Sequence, residues 1–280
     1  MGKSVFGGRQ LGVATQHGKG EVIAKMLVPA LQLTRVFEIP TPTDVLGTFS
    51  GETERVLSPV EAAREKCRMA FEATGNSLIV ASEGSFGPHP SNPYFTANTE
   101  TLVLIDFDTT REYMVHHTSP KVHWHTQTFQ SLQGFVDFLK RADFPRHGLL
   151  LHTGSKRANE IFKECRDVQQ LEEKATFLLN QQGLFIAESD LRAFRNPTRM
   201  EVIGEAAQKL ANLLQATCPD CAEPGFDVQR KIPGLNCAWC GMPSPLAKAY
   251  VKGCKACGFE LEEAVPQKAA DPQYCLFCNP

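Results

Sequence analysis

Eight of the ten cysteines in this 280-residue chain lie between residues 218 and 280, as four Cys-x-x-Cys pairs. They are Cys218/Cys221, Cys237/Cys240, Cys254/Cys257 and Cys275/Cys278. Two sulfurs separated by two residues can grip one ion from a single tight turn. Two such turns complete a tetrahedral S4 site, the structural geometry of zinc. Four turns therefore imply two structural zinc ions. Disulfides, the other use of paired cysteines, belong to oxidising compartments. The N-terminus, Met1-Gly-Lys-Ser-Val-Phe6, has no apolar core of a signal peptide. No stretch approaches the roughly 18 apolar residues of a membrane helix. The chain reads as cytoplasmic, with no membrane partner, where thiols stay reduced and metal is favoured. Cys67 and Cys165 are expected to be small core residues in helical surroundings.

The pairs are separated by 15, 13 and 17 residues. These gaps suit β-hairpins, with strands expected in 225–231 and 246–252. The tail, 218–280, is similar to tandem zinc ribbons. Sequence leaves three ligand groupings open: sequential, cross-brace (first pair with third, second with fourth) and nested. The sequential grouping is the expectation here. The tail carries six Lys/Arg against seven Asp/Glu, and thiolate-bound zinc adds negative charge. That balance disfavours phosphate-backbone binding, although Trp239, Phe226, Tyr250, Tyr274 and Phe277 could stack bases. A structural cap, or a docking surface for protein or nucleic acid, is the tail's expected role.

Ahead of the tail, residues 1–195 alternate strand and helix. Strands are expected at 9–16, 36–40, 78–81, 101–107, 112–118, 121–128, 148–152 and 184–188. Helices are expected at 21–33, 58–75, 131–142 and 157–181. The order argues for an α/β domain, a mixed sheet layered with helices. Ser58-Pro59-Val60-Glu61 is a capping box with proline in the first turn. A linking helix is expected over 196–217, with Thr198 and Glu201 as its capping box.

The chemistry of the front domain is expected where the apolar strand 78–81 runs into Ser82-Glu83-Gly84-Ser85-Phe86-Gly87-Pro88-His89. Ligands of α/β sheets bind beyond the carboxyl ends of strands. A carboxylate there can hold Mg²⁺ together with substrate phosphates. Glu83 and Glu61, with Glu52 of the polar loop 41–57, are the candidate ligands. Lys19, at the N-terminus of the first helix, is the candidate cation for a phosphate. His17, Ser50, Ser85 and His89 are candidate substrate contacts. Arg192 and Arg199 could clamp phosphate or pair with nearby carboxylates. His116, His117, His123 and His125 have no acidic or cysteine partner at ligand spacing, so surface or packing roles are expected. Asp106 and Asp108 form a further minor candidate.

Two resemblances add to this reading. Thr48-Phe-Ser-Gly-Glu52, Ala81 to Pro90, Asn196-Pro-Thr-Arg-Met200, Cys218-Pro-Asp-Cys221, Pro224-Gly-Phe226 and the closing Cys-x-x-Cys-Asn-Pro280 together resemble a bacterial domain family of unassigned function. Separately, over about residues 10–120, the order of motifs resembles the inosine/xanthosine triphosphate pyrophosphatases. Ala14-Thr15-Gln16-His17 and Lys19, Ser50-Gly51, Ser58 to Glu61 leading into Ala62 to Ala70, and Glu83-Gly84 carry that likeness. It implies a pyrophosphatase-like fold and Mg²⁺-dependent cleavage of a nucleoside triphosphate to monophosphate and pyrophosphate. The alternative is a non-catalytic protein that senses a nucleotide or another phosphate-bearing small molecule.

Overall fold

The computed structural model describes residues 4–16, 18–41, 56–154 and 161–279. The chain divides into two compact units, residues 1–211 and 212–280. His17, Ser50 and Glu52 lie outside the described residues.

The first unit opens with β1 (Gln10–Ala14), α1 (Gly20–Leu31), β2 (Arg35–Ile39), α2 (Pro59–Thr74), β3 (Leu78–His89), β4 (Asn92–Asp106) and β5 (Arg111–Ser119). The sheet order is β2-β1-β3-β4-β5. β1 runs parallel to both β2 and β3, and β4 and β5 are antiparallel additions. The chain steps from β1 to one side, then crosses back to β3 on the other. Right-handed crossovers then put α1 and α2 on opposite faces. The reversal occurs at the carboxyl end of β1.

α2 begins as its sequence dictates. The Ser58 hydroxyl accepts from the Glu61 amide, and the Glu61 carboxylate accepts from the Ser58 amide at 2.9 Å. Ala63, Cys67 and Ala70 recur at helical spacing and pack on Ile79, Ala81 and Val103. Burial raises the Cys67 thiol pKa, which fits an inert core residue. On the opposite face α1 buries Ile23, Leu27 and Leu31.

The tract after Ala81 departs from expectation. It is strand, not loop: β3 continues to His89, with Glu83 opposite Thr101 and Gly84 opposite Glu100. Gly, Ser and Pro favour turns locally, but a long antiparallel partner supplies the ladder that overrides the local preference. Glu83 is therefore a mid-strand residue of a long hairpin.

A second, separate sheet of order β6-β8-β7 follows, from β6 (Thr126–Phe129), β7 (Leu149–His152) and β8 (Phe185–Ser189). It is covered by α3 (Phe135–Arg141) and α4 (Val168–Gln182). Its core is aromatic: the Phe129 ring lies 5.3, 5.6 and 5.0 Å from those of Phe135, Phe138 and Phe185. Cys165 is buried in this core, but in the segment before α4 rather than in a helix. Asp167 caps α4 by accepting from the Gln170 amide at 2.8 Å.

α5 (Pro197–Gln215) is capped by Asn196, whose side chain accepts from the Arg199 amide at 3.0 Å. Thr198, the expected cap, instead meets His147 Nε2 at 3.0 Å. Asn196 wins because Pro197 takes the first helical position, moving the start back by two residues. Glu205 binds His117 and Lys121, and Lys209 donates to the His116 carbonyl, fixing α5 along β5.

The second unit holds β9 (Asp227–Pro233), β10 (Ala247–Gly253) and β11 (Glu260–Ala264) as an antiparallel sheet of order β11-β10-β9. The last carbonyls of α5 are satisfied within this unit: the amide of Gly225 donates to Leu213 and Ala216.

Candidate functional site

The four Cys-x-x-Cys turns share one bond, from the amide after the second cysteine back to the carbonyl of the first: Ala222 to Cys218, Gly241 to Cys237, Gly258 to Cys254 and Asn279 to Cys275. In three of them the amide of the first cysteine donates to the carbonyl five residues on: Cys218 to Glu223, Cys237 to Met242, Cys254 to Phe259. The residue after the second cysteine then adopts a left-handed backbone, at Ala222 (φ 62), Gly241 (φ 72) and Gly258 (φ 77). This fold of the turn aims both thiols to one side. Cys218, Cys221, Cys254 and Cys257 form one quartet, and Cys237, Cys240, Cys275 and Cys278 the other. All four Sγ atoms of each quartet lie within 4.8 Å of one another.

The expected sequential grouping is thus replaced by the cross-brace. β9 and β10 pair as neighbours. That pairing sets the turn before β9 beside the turn after β10, so the first pair meets the third and leaves the second for the fourth.

The quartets fit zinc quantitatively. A Zn–S bond of about 2.3 Å requires an S···S edge of about 3.8 Å in a tetrahedron. The close edges are 3.7 Å (Cys218–Cys257), 3.6 Å (Cys221–Cys254), 3.9 Å (Cys237–Cys278) and 3.6 Å (Cys240–Cys275). All ten cysteines are free of disulfides. Burial opposes ionisation of Cys254, but the Cys257 and Ala256 amides outweigh it, and its pKa falls to about 7. Cys275 falls to about 7 by the same balance, through the amides of Phe277 and Cys278. Backbone donors thus prepare Cys254 and Cys275 as ligands, whereas Cys257 and Cys278, beside the other thiols of their quartets, are pushed up to about 12 and would give up their protons on binding a metal. Two structural zinc ions, one per quartet, suit these donors.

The first unit gathers a second constellation where the carboxyl end of β1 meets the middle of β3. Lys19 follows β1, is 5 % exposed, and donates from Nζ to the Ser82 hydroxyl at 2.9 Å and carbonyl at 3.2 Å. Burial, with Arg199 and Lys66 adding to it, lowers its pKa to about 7. Along β3 the side chains then alternate. Glu83 points to the α2 face and pairs with Lys66. Gly84 lies on the other face, where Arg199 Nε donates to Glu100 Oε1 at 2.7 Å. Both members of that pair are essentially fully buried. A Cβ at Gly84 would sit 2.4 Å from Arg199 Nη2 and 2.4 Å from Glu100 Oε1. Glycine is there because the ion pair occupies the space. Two residues from Glu100 on the same face, Asn98 is fully buried, and its amide finds no hydrogen-bond partner among the described residues.

A family model matches residues 66–280, from within α2 to the last residue. The chain belongs to the DUF6671 family, a domain of unknown function. Comparison with curated proteins gives no match. The DUF6671 match takes in Ser82, Glu83, Glu100, Arg199 and both quartets, and begins after Lys19.

Of the residues picked out by sequence, Lys19 lies within electrostatic reach of both Glu83 and Arg199, which stand on opposite faces of β3. Glu61 does other work, as an exposed member of the α2 capping box. Ser85 follows Glu83 by one pleat, opposite Thr99. His89 is six residues beyond Glu83, about 20 Å along the strand, and its Nδ1 accepts from the Ser91 amide at the hairpin tip. Arg192 is committed to Asp190 and Glu164. The N-terminus of α1 already holds an anion of its own, since the Gly20 amide donates to Glu38 at 2.7 Å. Asp106 and Asp108 grip Arg9. His123 stacks on His147 at 3.6 Å and bonds to the Ala142 carbonyl, in an extended segment ahead of β6. Among the described residues, the two quartets are the groups of three or more His, Cys, Asp or Glu placed to share an ion.

Sequence reasoning passed over Ser82, Lys66 and Glu100. Two of them carried a signal. Glu100 falls in phase with Leu102 and Leu104, so an acid at that position must be buried with a partner. Lys66 stands three residues after Ala63 and four before Ala70, on the apolar stripe of α2.

Proposed function

We propose that the first unit of this DUF6671 protein binds a small phosphate-bearing molecule at the carboxyl end of β1, beside the middle of β3, and that the zinc-held tail is a separate interaction module. The observation that carries the reading is Lys19. It is a buried amine at the point where the parallel strands reverse their crossovers, the place where open α/β sheets take ligands. Its pKa of about 7 means that a bound dianion would draw a proton onto it and strengthen the contact. Counting Lys19, Lys66 and Arg199 against Glu83 and Glu100, the cluster carries one positive charge in excess when Lys19 is protonated. That sign favours an anion.

Binding is favoured over Mg²⁺-dependent hydrolysis by the commitments of the two carboxylates. Glu83 pairs with Lys66, and Glu61 is spent on its helix cap. Hydrolysis would require Glu83 to leave Lys66 for the ion. The test is a panel of nucleoside mono-, di- and triphosphates, sugar phosphates and inorganic pyrophosphate. Binding is measured by calorimetry and thermal shift, with and without Mg²⁺, alongside pyrophosphate and phosphate release. Saturable binding that is lost in Lys19→Met and accompanied by no release supports the binding reading. Product release abolished by Glu83→Gln replaces it with the hydrolase. No binding by any member of the panel ends both.

A further inference from the structure

The two quartets present opposite surfaces. In the first, the residues between the cysteines are Pro219-Asp220 and Lys255-Ala256. Its aromatics face inward: Phe226 is 8 % exposed and packs with Cys218, Cys254 and Phe259. In the second, the residues between the cysteines are Ala238-Trp239 and Leu276-Phe277. Trp239 is 80 % exposed, Leu276 64 % and Phe277 62 %. Tyr274 and Met242 are exposed as well. Each of the five stands within two residues of a thiol of the same quartet, and those thiols are within 4.8 Å of one another. One metal centre therefore collects five large exposed apolar side chains. Such a concentration, rich in aromatics, marks an interaction surface.

Charge selects the occupant. Residues 218–280 carry six Lys/Arg and seven Asp/Glu. A zinc ion held by four thiolates adds a net charge of about −2 at each quartet, which takes the module to about −5. Two of the six cations are already paired, Arg230 with Glu260 and Lys252 with Glu263. Nucleic acid and anionic membranes are repelled, and so is a second copy of the same module. We infer that the second zinc centre docks a protein segment bearing apolar anchors flanked by lysine or arginine. Trp239, Leu276 and Phe277 are the apolar contacts, and the acidic module supplies the steering field. This inference is independent of the small-molecule reading of the first unit.

The chain contains two tryptophans, so a Trp124→Phe background leaves Trp239 as the reporter. The zinc-loaded full chain is titrated with a synthetic 12-residue peptide alternating Lys/Arg with Leu/Phe. Matched peptides replace the basic residues by Glu, or the apolar residues by Ser, and a 12-nucleotide single-stranded DNA is the fourth probe. The expected result is a saturable blue shift of Trp239 emission with the basic apolar peptide alone. Binding falls at least tenfold in Leu276→Ser/Phe277→Ser, with two zinc ions per chain retained. It persists in Phe277→Leu and in Lys255→Ser on the other quartet. Four results overturn the proposal: undiminished binding in the double variant, equal binding of the Ser-substituted peptide, equal or tighter binding of the acidic peptide or the DNA, and dimerisation that disappears in the double variant by sedimentation.

Discussion

Replacing Cys257 by serine tests the cross-brace directly. The four close edges of 3.6 to 3.9 Å match the roughly 3.8 Å that 2.3 Å Zn–S bonds demand. Removing one thiolate should therefore empty one quartet and leave the other intact. The first site ties Cys221 to Cys254 across 32 intervening residues. Closing a loop of that size restrains the unfolded chain by about 4 kcal/mol. Metal binding itself contributes on the order of 10 kcal/mol or more to folding of such modules. Cys257→Ser should thus drop bound zinc from two ions per chain to one and loosen the turns at Cys218 and Cys254. Elemental analysis after mild chelator challenge reads the stoichiometry. Alkylation followed by peptide mass mapping reads the partners. The expected pattern is modification of Cys218, Cys221 and Cys254, with Cys237, Cys240, Cys275 and Cys278 protected. A sequential grouping would instead free Cys254, Cys275 and Cys278, and a nested grouping Cys237, Cys240 and Cys254. Either pattern refutes the reasoning.

Lys19 gives a pH prediction. Its folded pKa of about 7 lies below the unfolded value of about 10.4, so below pH 7 both states are protonated and the burial penalty is present in full. Above pH 7 the folded state sheds its proton first, and the wild type gains stability relative to Lys19→Met by about 1.4 kcal/mol per unit up to about pH 10. Denaturant midpoints of the two proteins from pH 6 to 9 check this, and a constant difference would show that Lys19 is not buried as an amine. Gly84→Ala forces a methyl into contact with Arg199 and Glu100. It should cost about 2 to 3 kcal/mol, seen as a Tm fall of roughly 5 to 10 °C. Glu100→Gln strands a buried guanidinium and should cost about 3 to 5 kcal/mol by chemical denaturation. Ala222 holds a left-handed φ of 62, so Ala222→Gly should stabilise the first zinc turn by roughly 0.5 to 1 kcal/mol. Slower zinc loss to a chelator would register the gain, and faster loss would contradict it.

Much of the first unit was legible because its signals are local. The α2 capping box at Ser58 and Glu61, the apolar spacing of Ala63, Cys67 and Ala70, and the buried run from Leu78 to Ala81 each act within one turn or one strand. The hairpin from Ser82 to His89 was not legible, because its glycines and prolines favour turns and only the distant β4 ladder makes them strand. The same pairing decides the fate of Glu83. The position of Lys66 on the apolar stripe of α2 signals that it is partly buried, but nothing local names Glu83 as its partner. The second sheet likewise rests on aromatic contacts between residues as far apart as Phe129 and Phe185.

By itself the sequence determined the metal chemistry. Eight thiols at one spacing point to soft, tetrahedral metal sites such as those of zinc and to two of them, because ligand softness and the reach of a Cys-x-x-Cys turn are properties of the residues alone. The structure adds that no helix among the described residues is long and apolar enough to cross a membrane. Only the tertiary structure decided which pairs share an ion, since that depends on which strands of the tail lie side by side. It alone set Lys19 against Ser82 and brought Glu83 and Arg199, on opposite faces of β3, within electrostatic reach of it, over separations of up to 180 residues. The reason is physical: coordination preference is written in single side chains, whereas proximity is set by the packing of the whole chain.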